Sequence, residues 1–230
     1  MLLRFNYPVG KVISYQAKSN TVRQISKSIE VIDTSRLVYF SDIKLKTIAK
    51  DEEGFHIRVR VSNRQPDEKI DEEIKTVIIP VGNQTVYMVV DELGNIIDSA
   101  GSQEVSTLVF PDYDIQIGEY WNSTIKFNLP GYNKHMDISI SYVVKEVKDN
   151  IFYIEGRSNE SSASIPIDME SITGQKQTLQ GNFVVTINSY FEFDNSLGTN
   201  RLQEIYIDTI IKVEDYVMEN NVHNVVKIVN

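Results

Sequence analysis

Three runs that alternate with a period of two constrain this chain more than any other feature. FHIRVRV at 55 to 61 puts Phe55, Ile57, Val59 and Val61 on one side and His56, Arg58 and Arg60 on the other. MDISISYVV sets Met136, Ile138, Ile140, Tyr142 and Val144 against Asp137, Ser139 and Ser141. QEIYIDTIIKV sets Ile205, Ile207, Ile211 and Val213 against Tyr206, Asp208 and Lys212. Successive side chains of a strand point to opposite faces, so such runs fit an antiparallel sheet with one packed and one wetter face. Several of them are long for strands.

Turn chemistry divides the runs. KDEEG at 50 to 54, DELGN at 91 to 95, KDN at 148 to 150 and DNSLGTN at 194 to 200 supply Gly and Asn where positive φ is needed. The best helical candidates, DEEIKTV near 71 to 77 (with Ile70 and Ile74 at i,i+4) and VEDYVMENN at 213 to 221, are short and poorly capped. The polar segment 159 to 181 reads as a long loop with at most a short strand. The ending NNVHNVVKIVN reads as a strand that closes the domain's own sheet or augments a neighbour's.

The opening LLRFNYPVGKVISYQAKSN and the central LVFPDYDIQIGEYWNSTIKFN share an aromatic, a proline and an apolar residue directly before glycine. A hairpin ending in Ser-Asn follows each, at 43 to 63 and at 138 to 159, and a further strand and Gly-containing turn follow that. The offsets are 108 residues from Gly10 to Gly118, 97 from Phe55 to Phe152 and 104 from Gly94 to Gly198. Three features in one order point to a duplication, with halves 1–104 and 105–230 in a single compact domain. Loop-length change accounts for the differing offsets.

Composition sets limits on function. The 230 residues include 12 Tyr and 9 Phe, which suits strands. The absence of Cys excludes disulfides, thiol nucleophiles, Fe–S clusters and cysteine zinc sites. A net charge of -9 without any Lys/Arg cluster argues against nucleic acid as a partner. The longest charge run, PDEKIDEEIK at 66 to 75, is a solvated loop on this reading. No stretch approaches the ~18 apolar residues of a membrane helix, so no membrane span is expected. Pro8 and Gly10 interrupt the N-terminus before it resembles a signal peptide. The location expected is therefore cytoplasmic, or extracytoplasmic (cell surface or periplasm) if a leader was removed.

FPDYDIQIGEYW, following the turn Val90-Asp91-Glu92-Leu93-Gly94-Asn95-Ile96, resembles a recurring element of uncharacterised bacterial exported and lipoprotein-like β domains. In those an FP…VxVGxxW segment follows a VDxxGxI turn. The resemblance implies a strongly curved antiparallel sheet, comparable with the half-barrels of lipoprotein carriers, and brings no catalytic residues. It covers most of the chain in layout and about 86 to 121 in motif.

Motifs for chemistry are sparse. His56, His135 and His223 show no metal-binding spacing, and no G-x-S-x-G or phosphate-cradling loop occurs. The acidic turns DELGN and DNSLGTN lack the spaced carboxylates of a calcium loop. No cofactor or metal is called for. Sequons at Asn83, Asn122 and Asn159 are what chance gives at this Asn, Ser and Thr content.

The expected fold is all-β and mainly antiparallel, a curved half-barrel or sandwich with few or no helices. The expected function is a non-catalytic binding or carrier module whose apolar groove takes a hydrophobic small molecule or a protein partner. Phe110, Tyr120, Trp121, Ile138, Ile140 and Tyr142 are its expected lining, each set against a plain core role. The first alternative is a structural subunit that forms homo-oligomers through strand edges. The second is an acid/base hydrolase drawing on carboxylates such as Asp112, Asp114, Glu192 and Asp208.

Overall fold

The alternating runs form strands, and a single curved sheet holds them without closing into a barrel. The computed structural model describes residues 1–66, 74–100, 108–129, 135–170 and 176–229. Its thirteen strands are β1 (Val12–Lys27), β2 (Glu30–Lys50), β3 (Phe55–Asn63), β4 (Thr76–Ile78), β5 (Gln84–Val90), β6 (Ile96–Ala100), β7 (Tyr120–Asn128), β8 (His135–Lys148), β9 (Ile151–Ser158), β10 (Ser161–Glu170), β11 (Lys176–Asp194), β12 (Thr199–Val213) and β13 (Tyr216–Val229). Across the sheet they run β6-β5-β3-β2-β1-β13-β12-β11-β9-β8-β7, with β10 added to β11 and β4 to β2. Every pairing is antiparallel except β2 with β4. No helix occurs among the described residues.

Three local expectations need correction. The helical candidate at 213 to 221 is instead the end of β12, a turn at Glu214 and Asp215, and the start of β13. Pairing with β12 on one side and β1 on the other outweighs a weak local pattern. The candidate at 71 to 77 lies partly outside the described residues, and Thr76–Ile78 is strand. The supposed loop at 159 to 181 contributes β10, whose Ile165 is buried, and the beginning of β11. Pro166 is tolerated in β10 because, among the described residues, the strand pairs only with β11 and is an edge.

The two stretches on either side of residue 104 follow one plan. The order β1-β2-β3-β5-β6 is matched by β7-β8-β9-β11-β12. Gly10 and Gly118 share a φ of 83°. Their amides donate to Thr47 O and Val144 O, each at 2.9 Å, one residue before a register shift. The shift between Thr47 and Ala49 against β3 has its counterpart between Val144 and Glu146 against β9. A third pair lies at Val89/Val90 on β5 and Glu192/Phe193 on β11. Bulges fix register and bend a strand, so these shared positions bend both stretches at equivalent points.

One core serves the whole sheet. It gathers Tyr15, Phe55, Ile57, Trp121, Ile138, Ile140, Tyr142, Phe152, Phe183, Phe191 and Phe193 with Leu3, Phe5 and Tyr7 from the N-terminal segment. That segment is tied to turns of both stretches: Phe5 N–H donates to Glu92 O and Asn6 N–H to Gly198 O, each at 2.8 Å. Leu108, Phe110 and Ile115 enter the core similarly before β7. Phe110 N–H donates to Leu93 O, and Met1 and Ile115 bond each other's backbone.

Candidate functional site

The alternation that fills the core also decides where a ligand can go. Phe110, Trp121, Ile138, Ile140 and Tyr142 are interior side chains, with none more than 3% exposed. Trp121 stacks on Tyr142 at 5.4 Å, and Phe110 meets Phe193 edge-on at 4.8 Å. Trp121 Nε1 donates to Val109 O at 2.9 Å, so its one polar atom is satisfied inside the fold. Tyr120, one residue away, points outward and is 65% exposed. The six expected lining residues are thus divided: five pack into the core and one faces solvent.

A concavity instead lies on the outer face of the sheet. It holds about 630 Å³ and is lined by Glu192 and Asp194 of β11, Leu197 of the turn, Arg201, Leu202 and Glu204 of β12, and Val225, Lys227 and Ile228 of β13. Register explains this grouping. Glu192 pairs with Leu202, Leu202 with Lys227, and Glu204 with Val225, so these alternate positions share one face. The register shift at Glu192/Phe193 leaves Arg201 as the extra residue at the rim. Leu197, Leu202 and Val225 give an apolar lining, with Ile228 at the edge turned to the core side; three carboxylates and two cations surround it.

Tyrosines flank the acidic side. Tyr190 donates its hydroxyl to Glu192 Oε1 at 3.5 Å, and Tyr206 donates to Glu204 Oε2 at 3.2 Å. Shielding from water, then the charge of Glu192 and the neighbouring Tyr153, pushes the Tyr190 phenol up to about 12. Shielding followed by Glu204 raises Tyr206 too. Tyr206 stacks on His223 at 4.2 Å, and His223 Nε2 lies 3.8 Å from Glu204 Oε2. Glu204 therefore has a phenol and an imidazole beside one oxygen.

The carboxylates proposed for hydrolysis do not converge. Asp112 and Asp114 are exposed in the segment before β7, where Asp114 lies 3.9 Å from the Met1 ammonium. Asp208 is six positions along β12 from the partner of Glu192, about 20 Å at ordinary strand rise. The structure brings Glu192 next to Glu204 on the diagonal instead. Among the described residues no cluster of three or more metal-ligating side chains occurs. His56 Nε2 sits 2.6 Å from Asp51 Oδ2 at the β2–β3 turn, and that hydrogen bond lowers the Asp51 pKa.

Sequence reasoning missed this site. Glu192 entered only as one of four scattered acids, Tyr206 as part of a wetter strand face and His223 as a histidine without metal-binding spacing, while Tyr190 and Glu204 were not singled out. The usable signal was the aromatic-acid alternation in SYFEF and QEIYI. No protein-family model matches this chain, and no curated protein does. Among solved structures, the chain is similar to a conserved protein of unknown function with hot dog fold from Alicyclobacillus acidocaldarius. They share 14% identity over 97% of this chain and 80% of that one, with a TM-score of 0.15, too low to carry an argument.

Proposed function

We propose that this protein is a non-catalytic binding or carrier module, and that its site is the outer-face concavity of β11, β12 and β13 rather than the interior. The ligand is a small amphiphile: an apolar body that lies on Leu197, Leu202 and Val225, with a cationic group held among Glu192, Asp194 and Glu204. The observation that carries this reading is the apolar floor bordered by three carboxylates, in excess of the cations Arg201 and Lys227. A cavity of about 630 Å³ falls in the usual size range for small-molecule sites. A floor of three hydrogen-bonded strands is rigid, which lowers the ordering cost of binding. A net charge of -9 attracts a cation toward the protein. Tyr190 and Tyr206 hold two of the carboxylates in place as acceptors.

Calorimetric titration with dodecyltrimethylammonium, below its micelle concentration, tests the proposal. We expect saturable one-to-one binding, weakened at least about tenfold by Glu204→Gln and by Val225→Lys, a change of ~1.4 kcal/mol. Absent saturation, or affinity unaffected by both substitutions, would refute it.

A further inference from the structure

Register on the outer face of the first stretch assembles charge that the sequence scatters. Lys46 of β2 pairs with Arg58 of β3, and Lys44 with Arg60. Both pairs lie on the face opposite the core, because the alternating neighbours Leu45, Ile57 and Val59 pack inward. Partners across strands stand about 5 Å apart, and successive outward residues of one strand about 7 Å. Four cations therefore occupy one small block of the sheet. Lys44 and Arg60 are exposed, and Lys46 and Arg58 are half-buried.

The fold itself does not call for this block. The bulge after Thr47 matches the one after Val144, so the counterparts of Lys44, Lys46, Arg58 and Arg60 are Ser141, Val143, Glu155 and Arg157. There the charges balance: Glu155 Oε2 lies 3.6 Å from Lys145 Nζ and 3.9 Å from Arg157 Nη2. In the first stretch like charges face each other directly, which costs stability. Acids around the block meet other cations: Asp42 Oδ1 is 4.0 Å from Arg64 Nε, Asp51 Oδ2 2.6 Å from His56 Nε2 and Glu92 Oε1 2.9 Å from Lys50 Nζ. Among the described residues no carboxylate pairs with any of the four. Residues 105–230 carry 17 Asp and Glu against 9 Lys and Arg, nearly all of the net charge of -9, so the block sits in an almost neutral half.

The row of Lys46 and Arg58 continues at both ends into side chains of another kind. Val12 of β1 pairs with Lys46, and Tyr87 of β5 with Arg58. Val12 is 50% exposed and Tyr87 49%. An anionic surface with an oily layer beneath it satisfies both parts, since cations meet its charged groups while the flanking side chains sink past them. A soluble polyanion would engage the cations and leave Val12 in water.

We propose that this face of β1, β2, β3 and β5 docks on an anionic lipid surface. Lys44, Lys46, Arg58 and Arg60 contact the phosphate and carboxylate groups of the lipid heads, and Val12 and Tyr87 enter the interfacial layer. The concavity lies on β11, β12 and β13, so this proposal stands whether or not that site takes an amphiphile.

Co-sedimentation of the full-length protein with vesicles tests it. We expect saturable binding to vesicles of equal parts phosphatidylcholine and phosphatidylserine, at least about tenfold tighter than to phosphatidylcholine alone. Added salt should weaken it by screening. Lys44→Gln combined with Arg60→Gln should weaken it about thirtyfold, two contacts of about fivefold each. Tyr87→Ser should weaken it at least about threefold. Arg157→Gln, the counterpart of Arg60→Gln, should leave it unchanged. These side chains lie on the wet face, so the variants keep the fold, which circular dichroism checks. Absence of binding, equal binding to both kinds of vesicle, or a Lys44 and Arg60 double variant that binds like the parent would overturn the proposal. So would displacement from vesicles by oligothymidylate together with unchanged binding of Tyr87→Ser, which would assign the block to a soluble polyanion.

Discussion

The phenol of Tyr15 on β1 and the hydroxyl of Thr199 on β12 share a 2.7 Å hydrogen bond in the core, reaching across from one half of the chain to the other. Both residues are buried, so each group would otherwise be left without water. Tyr15→Phe should lower unfolding free energy by about 1 kcal/mol, and Thr199→Val by a similar amount. In the double variant the losses should be less than additive, because both remove one bond. Urea denaturation of the four proteins measures this. Strict additivity would show the contact to be incidental.

Trp121 and Tyr120 give a paired test of which face is core. Truncating Trp121 to Ala removes a buried ring and should cost about 3–5 kcal/mol. Tyr120→Ala should change stability by no more than about 0.5 kcal/mol. Thermal unfolding of the two variants separates this arrangement from an open apolar groove, in which loss of Trp121 would reduce ligand affinity more than stability.

Gly94 and Gly10 both have positive φ, yet only one is crowded. A Cβ at Gly94 would lie 2.6 Å from a Phe5 ring carbon and 2.7 Å from Leu108 O, whereas at Gly10 nothing lies within 4 Å. Gly10→Ala should cost about 1–2 kcal/mol, the strain of the left-handed conformation. Gly94→Ala should cost more, since the backbone at Leu108 and the ring of Phe5 must move as well. Equal losses in chemical denaturation would contradict the packing of these segments against the turn.

Much of the architecture was legible because its signal is local. Alternation in FHIRVRV and MDISISYVV depends only on which side chains must be buried, and β3 and β8 form there. The matching glycines, Gly10 and Gly118, were visible because a positive-φ turn demands that residue. What stayed hidden depends on pairing. β10 and the start of β13 are strands because partners lie beside them, and their own sequences are too polar to announce it, whereas the apolar end of β13 was legible as a strand. The concavity is a cross-strand object: Glu192, Leu202 and Lys227 become neighbours only once the register is fixed. The expected groove residues were chosen for being aromatic or apolar, and that property is what placed five of the six in the core.

Raised phenols, those of Tyr7, Tyr15, Tyr142, Tyr190 and Tyr206, link stability to alkaline pH. Burial raises Tyr7, Tyr15 and Tyr142 above the ordinary tyrosine value, and Tyr190 reaches about 12. A raised folded-state pKa contributes stability that is complete below the unfolded value of about 10 and is lost as pH rises through the folded values. Between about pH 10 and 12 the unfolded chain releases these protons and the folded one retains them, so unfolding is favoured. Tyrosinate absorbance and circular dichroism should therefore change together in that window. Ionisation of these phenols with the sheet intact would contradict their placement.

The most direct test of the binding role is amide chemical-shift mapping with dodecyltrimethylammonium added to the isotope-labelled protein. We expect saturable shifts centred on Leu202, Glu204, Val225 and Lys227, absent from the Val225→Lys variant. Shifts centred on Ile138, Ile140 and Tyr142, or none that saturate, would contradict a ligand site on the outer face.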